Sequence, residues 1–428
     1  MLHIYVKNNT PRVEYIFTFL LEELLGLRIT FSSNLEEFSN IESPKISYHN
    51  GSITGEPFFY PANLLFEESL TENLHIEIKH HRSIPYFFEV NKGALGFDVF
   101  AASFYLLARY EEYIYPNHVD EHGRFLATQS IAYKNDFLTK PIIQYWAQWI
   151  KEKLTECFPS LSFKKHSFQP HLTIDVDALF AYSNKPFTKK IGSLTKTFLN
   201  PKQNTSSQLK AYQNKEEDPF NNFSYFQALN TRFTVPLIFF IHTGNKSKYD
   251  PGFYSNQQSK EAIRQMESFA QMGLHPSYNS LKKLDTLQKE KQVLESLSQI
   301  EIDKSRQHYL IIHWPRSYQN LIQTGIKHDY SMGYTTHLGF RASIAHPFPF
   351  FDLVHNRPSH LIIHPFCIMD LVLERNQLTS ASTFAIIDEV KKVNGHLDIL
   401  WHSDLFALQS EKTTWKSYLE DILTYVYK

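Results

Sequence analysis

The chain has 428 residues, of which 42% are hydrophobic, and its 43 Lys and Arg residues nearly balance 44 Asp and Glu residues. This length exceeds the roughly 250–300 residues at which a single hydrophobic core stops growing, so we expect two domains. A net charge of −1 lacks the basic character of nucleic-acid binders, and we expect no nucleic-acid partner. Two cysteines, Cys157 and Cys367, argue against a disulfide scaffold and against a cysteine-based zinc site.

Residues 1–165 show the mixture of strand-like and helical segments that is typical of a small α/β domain. The strand-like LHIYV precedes a predicted helix, PRVEYIFTFLLEELLG, which ends at Gly26. The segment 97–114 predicts a buried helix, because its apolar residues cover more than one helical face. Two polar clusters in this region are candidate sites, for which structural pairing and capping is the favoured interpretation: Arg109, Glu111 and Glu112 on the helix, and Asp120, His122 and Arg124 in a turn.

From residue 166 to residue 428, short apolar strands alternate with helix-length segments. The strand candidates are HLTID, VPLIFFIHT, MGLH, HYLIIHW, LGFRASI, HLIIHPFCIMD and LDILWH. Alternating βα units predict a parallel sheet, and about seven of them favour a closed or nearly closed barrel over an open sheet. The long, poorly periodic segment 189–226 is expected to be a mobile insertion or lid near the end of the first strand.

Polar side chains recur at the C-terminal ends of these predicted strands, where a parallel barrel builds its chemistry. In chain order they are Asp175, Asp177, His242, His275, Arg306, His308, Arg341, Asp370 and His402. An aspartate with one or two histidines suits Zn²⁺ or a similar divalent ion, which lowers the pKa of a bound water from ~15.7 toward ~7. A second carboxylate then accepts the proton of the water, and a histidine protonates the leaving group. The pattern predicts metal-assisted hydrolysis.

The stretch from about 170 to 410 resembles the polysaccharide deacetylases with a NodB homology domain, carbohydrate esterase family four. The resemblance runs through TIDVD, GLHPSYNS, SRQHYL, GFRAS and LDILWHS in the motif order of the family. It implies a distorted (β/α)₇ barrel that removes acetyl groups from N-acetylated sugars, a hydrolysis of C–N amide bonds that uses a divalent metal. It also implies that Asp175 is the general base and His402 the catalytic acid.

The same motifs imply further roles. Arg306 matches the arginine of the third motif, and Tyr309 matches the residue whose backbone N–H helps to hold the oxyanion. Asp177 and His275 match metal ligands. The acids of the family are more often adjacent, whereas this chain has a D-x-D spacing.

The third metal ligand is open between His308 and Asn279. The second motif of the family usually has two histidines four residues apart, and Asn279 occupies the second position here. An asparagine is a poorer zinc ligand than an imidazole, whereas His308 stands at a predicted strand end, where the family commonly has proline. We favour Asp177, His275 and His308 as the ligand set, with Zn²⁺ as the expected ion. A site that has lost its metal is the alternative.

Other polar and aromatic residues near these strand ends have open roles. Arg341 is expected to orient Asp175 or to contact sugar hydroxyls, and Asp370 to anchor an arginine or histidine beside the metal ligands. Structural ion pairing is the alternative for both residues. Tyr278 and Trp401 are candidates for stacking on sugar rings, with core packing as the alternative.

The first 165 residues resemble an uncharacterised domain joined to a subgroup of deacetylase-like proteins, notably at FDVFAASFYLLARYEEY and HGRF. A competing hypothesis follows from the missing second histidine: a catalytically degenerate protein that binds glycans or partner proteins. A glycosidase is disfavoured, because carboxyl groups on one D-x-D stretch do not reach opposite sides of a glycosidic bond, ~5 Å or more apart.

The N-terminal sequence lacks the basic head, apolar stretch and cleavage site of a signal peptide. No run of residues approaches the ~20 apolar residues of a transmembrane segment. We therefore expect a cytoplasmic protein that acts on a carbohydrate carrying N-acetyl groups. The sequence leaves the particular sugar and the oligomeric state open.

Overall fold

The computed structural model of the chain describes residues 1–183, 218–407 and 415–428. Most of the predicted insertion, residues 189–226, lies outside these ranges. Among the described helices, none is both long enough and apolar enough to cross a membrane.

The N-terminal region is built on a small parallel sheet. The strands of this region are β1 (Leu2–Tyr5), β2 (Ile29–Ser32), β3 (Lys45–Tyr48), β4 (Phe58–Phe59), β5 (Lys79–His81) and β6 (Ile84–Tyr86). The first four form one sheet in the order β2-β1-β3-β4, and β5 and β6 form a separate hairpin. The helices are α1 (Pro11–Phe17), α2 (Leu35–Ser39), α3 (Val99–Leu107), α4 (Tyr110–Ile114), α5 (Ile131–Lys134) and α6 (Ile142–Cys157).

The helix that was predicted to end at Gly26 is confirmed. Thr10 caps its start by accepting a hydrogen bond from the backbone N–H of Val13, and the helix continues from α1 into a π-helical segment, Thr18–Leu24. Gly26 has a φ of 70°, and a Cβ atom there would lie 2.4 Å from the Cβ of Lys164. Glycine is therefore required where this helix ends.

The buried helix predicted over residues 97–114 is divided into α3 and α4. All nine residues of α3 are buried, as the pattern predicts. The division occurs at Arg109, which has a left-handed φ of 52°. Its guanidinium group donates to the side chains of Glu111 and Glu112 just beyond the break, so the ion pairs hold the chain in the broken conformation.

The C-terminal region is built on a nine-stranded sheet. Its strands are β7 (Gln169–Val176), β8 (Leu237–Ile241), β9 (Gln271–Leu274), β10 (Lys304–Ser305), β11 (His328–Asp329), β12 (Phe348–Asp352), β13 (Arg357–Ile363), β14 (Phe366–Met369) and β15 (His396–His402). Their order is β12-β13-β11-β10-β9-β8-β7-β15-β14, and only β12 runs antiparallel to its neighbour. The described helices around it are α7 (Phe223–Phe233), α8 (Gln257–Glu267), α9 (Leu284–Ser298), α10 (Arg316–Gln323), α11 (Asp370–Arg375), α12 (Phe384–Lys392) and α13 (Trp415–Val426).

This sheet confirms the predicted α/β class, but not a closed (β/α)₇ barrel. Within the described residues, β12 and β14 remain the edges of the hydrogen-bonded sheet. The chain passes from β13 to β14 through His364 and Pro365 alone, so one nearly continuous segment belongs to both ends of the sheet. Because proline has no N–H to donate to a ladder, the strand changes partners at this point. The predicted single strand HLIIHPFCIMD is therefore two strands.

The predicted strand HYLIIHW is wrong. β10 ends at Ser305, and His308–Leu310 forms a single 3₁₀ turn. Tyr309 and Leu310 have φ values of 63° and 56°, which are incompatible with a strand. The turn carries two of the predicted site residues.

The predicted strand LGFRASI is also wrong. These residues form no strand: the N–H of Gly339 donates to the carbonyl of Cys367 on β14. The N–H of Phe340 donates to the carbonyl of Leu138, and the carbonyl of Ser343 accepts from Ile143, both in the N-terminal region. Gly339 has a φ of 125° and approaches the carbonyl of Leu138 closely. A competing set of backbone partners, which lies far away in the sequence, has replaced the expected ladder.

The two regions share one continuous hydrophobic core. Tyr15 of α1 donates to the carbonyl of Pro349 at 2.8 Å, and its ring lies 5.0 Å from that of Phe351. Glu112 of α4 forms a buried ion pair with Arg341. The predicted boundary at residue 165 separates the two sheets along the chain, and the regions pack tightly across it.

Candidate active site

The C-terminal ends of β7, β8, β9, β10 and β15 lie side by side, since neighbouring parallel strands end at the same edge of a sheet. In register, Asp175 on β7 is paired with His402 on β15 and with Phe240 on β8. His275 follows β9 directly, and Arg306 follows β10. The parallel ladder thus gathers polar residues that are far apart in the sequence.

Asp177 lies between two imidazole rings at this edge. Its Oδ1 atom lies 3.2 Å from Nε2 of His275, and its Oδ2 atom lies 3.5 Å from Nε2 of His308. One ligand atom from each of the three residues falls within 4.8 Å of the others. Both histidines are buried, whereas a quarter of the Asp177 side chain is exposed. The structure therefore brings together the three residues that we favoured as metal ligands.

Hydrogen bonds decide which ring nitrogen of each histidine is free. Nδ1 of His275 lies 2.6 Å from the carbonyl oxygen of Arg306, which only accepts, so Nδ1 carries the proton. Nδ1 of His308 donates in the same way to the Asp250 carboxylate at 3.0 Å. Both Nε2 atoms then face the acceptor oxygens of Asp177. In the described residues, His275 Nε2 and Asp177 Oδ1 are buried without a hydrogen bond, and a cation between them, either a proton or a metal ion, would satisfy both atoms.

The charges of this cluster favour a bound cation. Burial disfavours the charged His308 ring, but the charges and hydrogen bonds of Asp177 and Asp250 outweigh it and raise the pKa of His308 to about 9. Burial also opposes ionisation of Asp177, yet His308 and His275 hold its pKa well below the ordinary value. Two carboxylates therefore stabilise positive charge at this position.

Asp250 and His242 are further members of the cluster. Asp250 lies in the coil between β8 and α8, where its carboxylate also accepts from the backbone N–H of Tyr278. Nδ1 of His242 faces the carbonyl of His275 at 3.2 Å, and burial and the charges of His308 and His275 lower the pKa of His242 to about 4. His242 was expected only as a residue at a strand end. Asp250 was not predicted, because it lies in coil beyond the end of the predicted strand VPLIFFIHT and belongs to no motif.

Asp175 is held by Arg306. Nη1 of the arginine donates to Oδ1 of Asp175 at 3.0 Å, and Nη2 donates to Oγ1 of Thr173 at 2.7 Å, so the guanidinium group is fixed to β7 at two points. Oδ2 of Asp175 lies 3.9 Å from Nε2 of His275 and 4.0 Å from Nε2 of His402. One carboxylate oxygen is thus anchored while the other faces the cluster.

His402 is paired with Asp370. Its Nδ1 lies 2.8 Å from one Asp370 oxygen, and its backbone N–H donates to the other at 2.5 Å. Burial disfavours a charged ring, but Asp370 and then Asp175 outweigh it and raise the pKa of His402 to about 10. The ring is therefore protonated at neutral pH, which suits a general acid.

A cavity of about 310 Å³ opens onto these groups. Its polar lining includes Asp175, Asp177, His275, His308 and His402. Its apolar lining includes Leu310, Met369, Leu371 and Leu405. Asp404 also lines the cavity, and burial followed by the charge of Asp177 raises its pKa to about 6. Arg124 reaches the cavity from the N-terminal region, although the sequence had indicated only structural pairing for it.

Six residues with predicted site roles do not line this cavity: Arg306 and Asp370 bind residues that line it, and the other four are Asn279, Tyr278, Trp401 and Arg341. Asn279 is exposed in the 3₁₀ segment Tyr278–Lys282 and is not part of the histidine cluster, and Tyr278 is partly exposed next to it. Trp401 is completely buried, because successive strand residues face opposite sides and His402 takes the side of the cavity. Arg341 donates to Glu112 through two nitrogens, so ion pairing is the role that its surroundings support.

Comparison with known proteins gives a family model and a set of solved structures. Residues 2–159 match the model of a family of unknown function, DUF7033. No curated protein matches the chain. A solved structure from Mycobacterium smegmatis, assigned as a polysaccharide deacetylase, is similar over 61% of this chain and 85% of its own, with 16% identity and a TM-score of 0.38. A family 4 carbohydrate esterase from Streptomyces lividans is similar over 61% of this chain and 88% of its own, with 9% identity and a TM-score of 0.29.

Proposed function

We propose that the chain is a metal-dependent hydrolase that removes acetyl groups from N-acetylated sugars. The observation that carries this proposal is the arrangement of Asp177 between His275 and His308. Both histidines use Nδ1 as a donor and direct the free Nε2 atom at a carboxylate. Such a set of one carboxylate and two imidazoles is typical of a catalytic zinc site with positions left for water and substrate.

The donor atoms fit a divalent metal ion, Zn²⁺ in our proposal. Asp177, His275 and His308 would hold it, and Asp250 would fix the tautomer of His308, as carboxylates behind metal-binding histidines commonly do. When bound, such an ion lowers the pKa of a coordinated water and polarises a carbonyl group.

Asp175 is proposed as the general base. Arg306 anchors its Oδ1, which leaves Oδ2 directed towards the centre of the cluster to accept a proton from water. Arg306 is completely buried and also bound to Thr173, so it fixes the orientation of the base and does not need to touch the substrate.

His402 is proposed as the general acid. Its Nδ1 is bound to Asp370, and its Nε2 lies near Asp175 at the wall of the cavity. A ring that stays protonated at neutral pH donates its proton to the departing amine nitrogen and so prevents the amide from reforming.

The remaining groups suit an acetyl amide. Tyr309 lines the cavity, and its backbone N–H is the proposed donor to the carbonyl oxygen as negative charge develops there. The apolar side chains, such as Leu310 and Met369, offer a surface for the acetyl methyl group.

The test is acetate release from an N-acetylated chitooligosaccharide, together with metal analysis of the purified protein. We expect about one zinc ion per chain, and loss of both the metal and the activity in His275→Gln. The matched control is His360→Gln, which changes an exposed histidine outside the cavity and is expected to keep both. A protein that holds no metal after reconstitution but still binds the oligosaccharide would overturn the hydrolase proposal and favour the glycan-binding alternative.

A further inference from the structure

The N-terminal region reaches the cavity through one turn, residues 119–125, which we call the Asp120 turn. A bridge between its two ends closes the turn, and Oδ1 of Asp120 accepts the backbone N–H groups of His122 and Arg124. At Gly123 the turn packs so closely on the C-terminal region that an added Cβ would lie 3.0 Å from the ring of His313. The turn is thus rigid in itself and held against the other region.

Arg124 extends from this turn to the candidate site. Asp120 holds its guanidinium group through Nε and Nη2, each at 2.7 Å from Oδ2. The remaining nitrogen, Nη1, donates to the carbonyl oxygen of Tyr309 at 3.3 Å. The side chains of Arg124 and Asp120 are only 15% and 21% exposed, so this hydrogen bond is largely shielded from water.

The group that receives this hydrogen bond has an unfavourable backbone conformation. Tyr309 and Leu310 are consecutive residues with left-handed φ values, which non-glycine residues adopt only when their surroundings hold them. The neighbouring backbone supplies part of the support, because the N–H of Leu310 donates to the carbonyl of Gln307 and that of His308 donates to Pro276. Arg124 supplies a charged donor from a different region of the chain.

We propose that Arg124 is a positioning residue for the candidate active site. By holding the carbonyl of Tyr309, it maintains the turn His308–Leu310, and with it the ring of His308 and the N–H of Tyr309. The N-terminal region is then part of the catalytic unit. The consequence for activity rests on the proposed function, whereas the positioning itself does not.

Hydrogen exchange of the full-length protein tests the positioning without any assay of activity. In Arg124→Ala, we expect peptides that span residues 305–312 to exchange about tenfold faster, because a shielded charge-assisted hydrogen bond is lost. Guanidinium ions at tens of millimolar should reverse the effect by filling the vacated position. The control is Arg82→Ala, which removes an N-terminal arginine paired with Glu152 at 2.9 Å and away from the cavity. Equal exchange of this segment in the two variants would overturn the proposal.

Acetate release tests the consequence for catalysis. We expect kcat of Arg124→Ala to fall about tenfold with KM changed less than about threefold, and guanidinium to restore kcat, because orientation of the oxyanion donor is lost and not general binding. Arg124→Lys, which keeps one charged donor, should lie between the wild type and the alanine variant in both assays. If the alanine variant does not fold, the lysine variant alone tests the proposal in both assays. If the wild type releases no acetate, the proposed function fails, and the exchange experiment still decides whether Arg124 positions the turn.

Discussion

Two buried charged clusters in this protein differ in how well their hydrogen-bonding groups are satisfied. The interface cluster joins the two regions and consists of Arg109, Glu111, Glu112 and Arg341. The site cluster lies at the strand ends and consists of Asp177, Asp250, His275 and His308. Both clusters contain carboxylates beside basic groups in largely buried surroundings. They differ in whether a further ligand is needed to satisfy their polar atoms.

In the interface cluster every carboxylate oxygen of Glu112 faces donors. Oε1 accepts from Nε of Arg109 and Nε of Arg341, and Oε2 accepts from Arg341 and from the indole N–H of Trp314. Burial opposes ionisation of Glu112, but the charges of Arg341 and Arg109 outweigh it and lower its pKa to about 2. The cluster is complete without any further ligand.

In the site cluster, by contrast, the facing atoms need a proton or a metal ion between them. The Nδ1 atoms of His275 and His308 are committed to the Arg306 carbonyl and to Asp250, and their Nε2 atoms face Asp177. A cluster whose donors and acceptors match, such as the interface cluster, stabilises a fold, whereas a cluster that needs a shared cation can bind a metal ion in place of the proton. The difference separates a structural ion pair from a candidate metal site more clearly than the residue types do.

The largest effect is expected from a change next to the site cluster. Asp175→Asn removes the proposed base but keeps an oxygen that accepts from Arg306, so we expect kcat to fall by about 10²- to 10⁴-fold at unchanged zinc content. Acetate release and metal analysis of the same preparation measure both quantities. Asp285→Asn, on the exposed first turn of α9, is the control. Wild-type rates in Asp175→Asn would remove this residue from the mechanism.

The converse change breaks the interface cluster. Glu112→Gln leaves Arg109 and Arg341 buried without their shared charge, and we expect the free energy of unfolding to fall by about 3–5 kcal/mol. Urea unfolding monitored by circular dichroism measures it. The variant should still bind zinc, because Glu112 does not line the cavity. A variant as stable as the wild type would show that the two arginines find other partners, and the contrast between the clusters would weaken.

A smaller effect on stability is expected from the metal itself. At a free zinc concentration about 100 times its Kd, the free energy of unfolding should rise by about 2.7 kcal/mol. In Asp177→Asn this increment should vanish, because one of the three proposed metal ligands is removed. Thermal unfolding with zinc and with a chelator measures both. Glu112→Gln is the matched control and should retain the zinc increment on its lower baseline.

The sequence predicted those parts of the fold and site that depend on neighbouring residues. The strands that carry Asp175, His275 and His402 are confirmed, because each is a short apolar run next to turn residues. The pairing of Asp175 with His402 depends on a ladder between distant strands, which local patterning does not encode. Asp250 lies in coil without periodicity, so no signal in a single sequence marked it.

The errors in the predicted strands have a similar origin. HYLIIHW and LGFRASI have the apolar, β-branched composition of strands, but both lie next to the N-terminal region. Contacts from that region, such as those from Arg124 and Leu138, supply hydrogen bonds that compete with a sheet ladder. A pattern within one segment carries no information about a partner that approaches from another part of the chain. Arg341 lies away from the cavity for the same reason, because its expected strand does not exist, and it takes the alternative role of ion pairing.

The smallest effect at neutral pH is expected at the edge of the site cluster, where Asp370 pairs with His402. A general acid must be protonated, so activity falls as the pH rises through the pKa of His402, which is about 10 with Asp370 charged. Asp370→Asn removes the charge that most raises this pKa and should shift the alkaline limb of the kcat profile toward the ordinary histidine value of 6.5. The rate near pH 7 should therefore change only a few-fold, while the rate near pH 9 falls much more. Asp388→Asn, whose carboxylate binds Tyr425 away from the cavity, should leave the profile unchanged. An alkaline limb that stays in place in Asp370→Asn would assign that limb to a group other than His402.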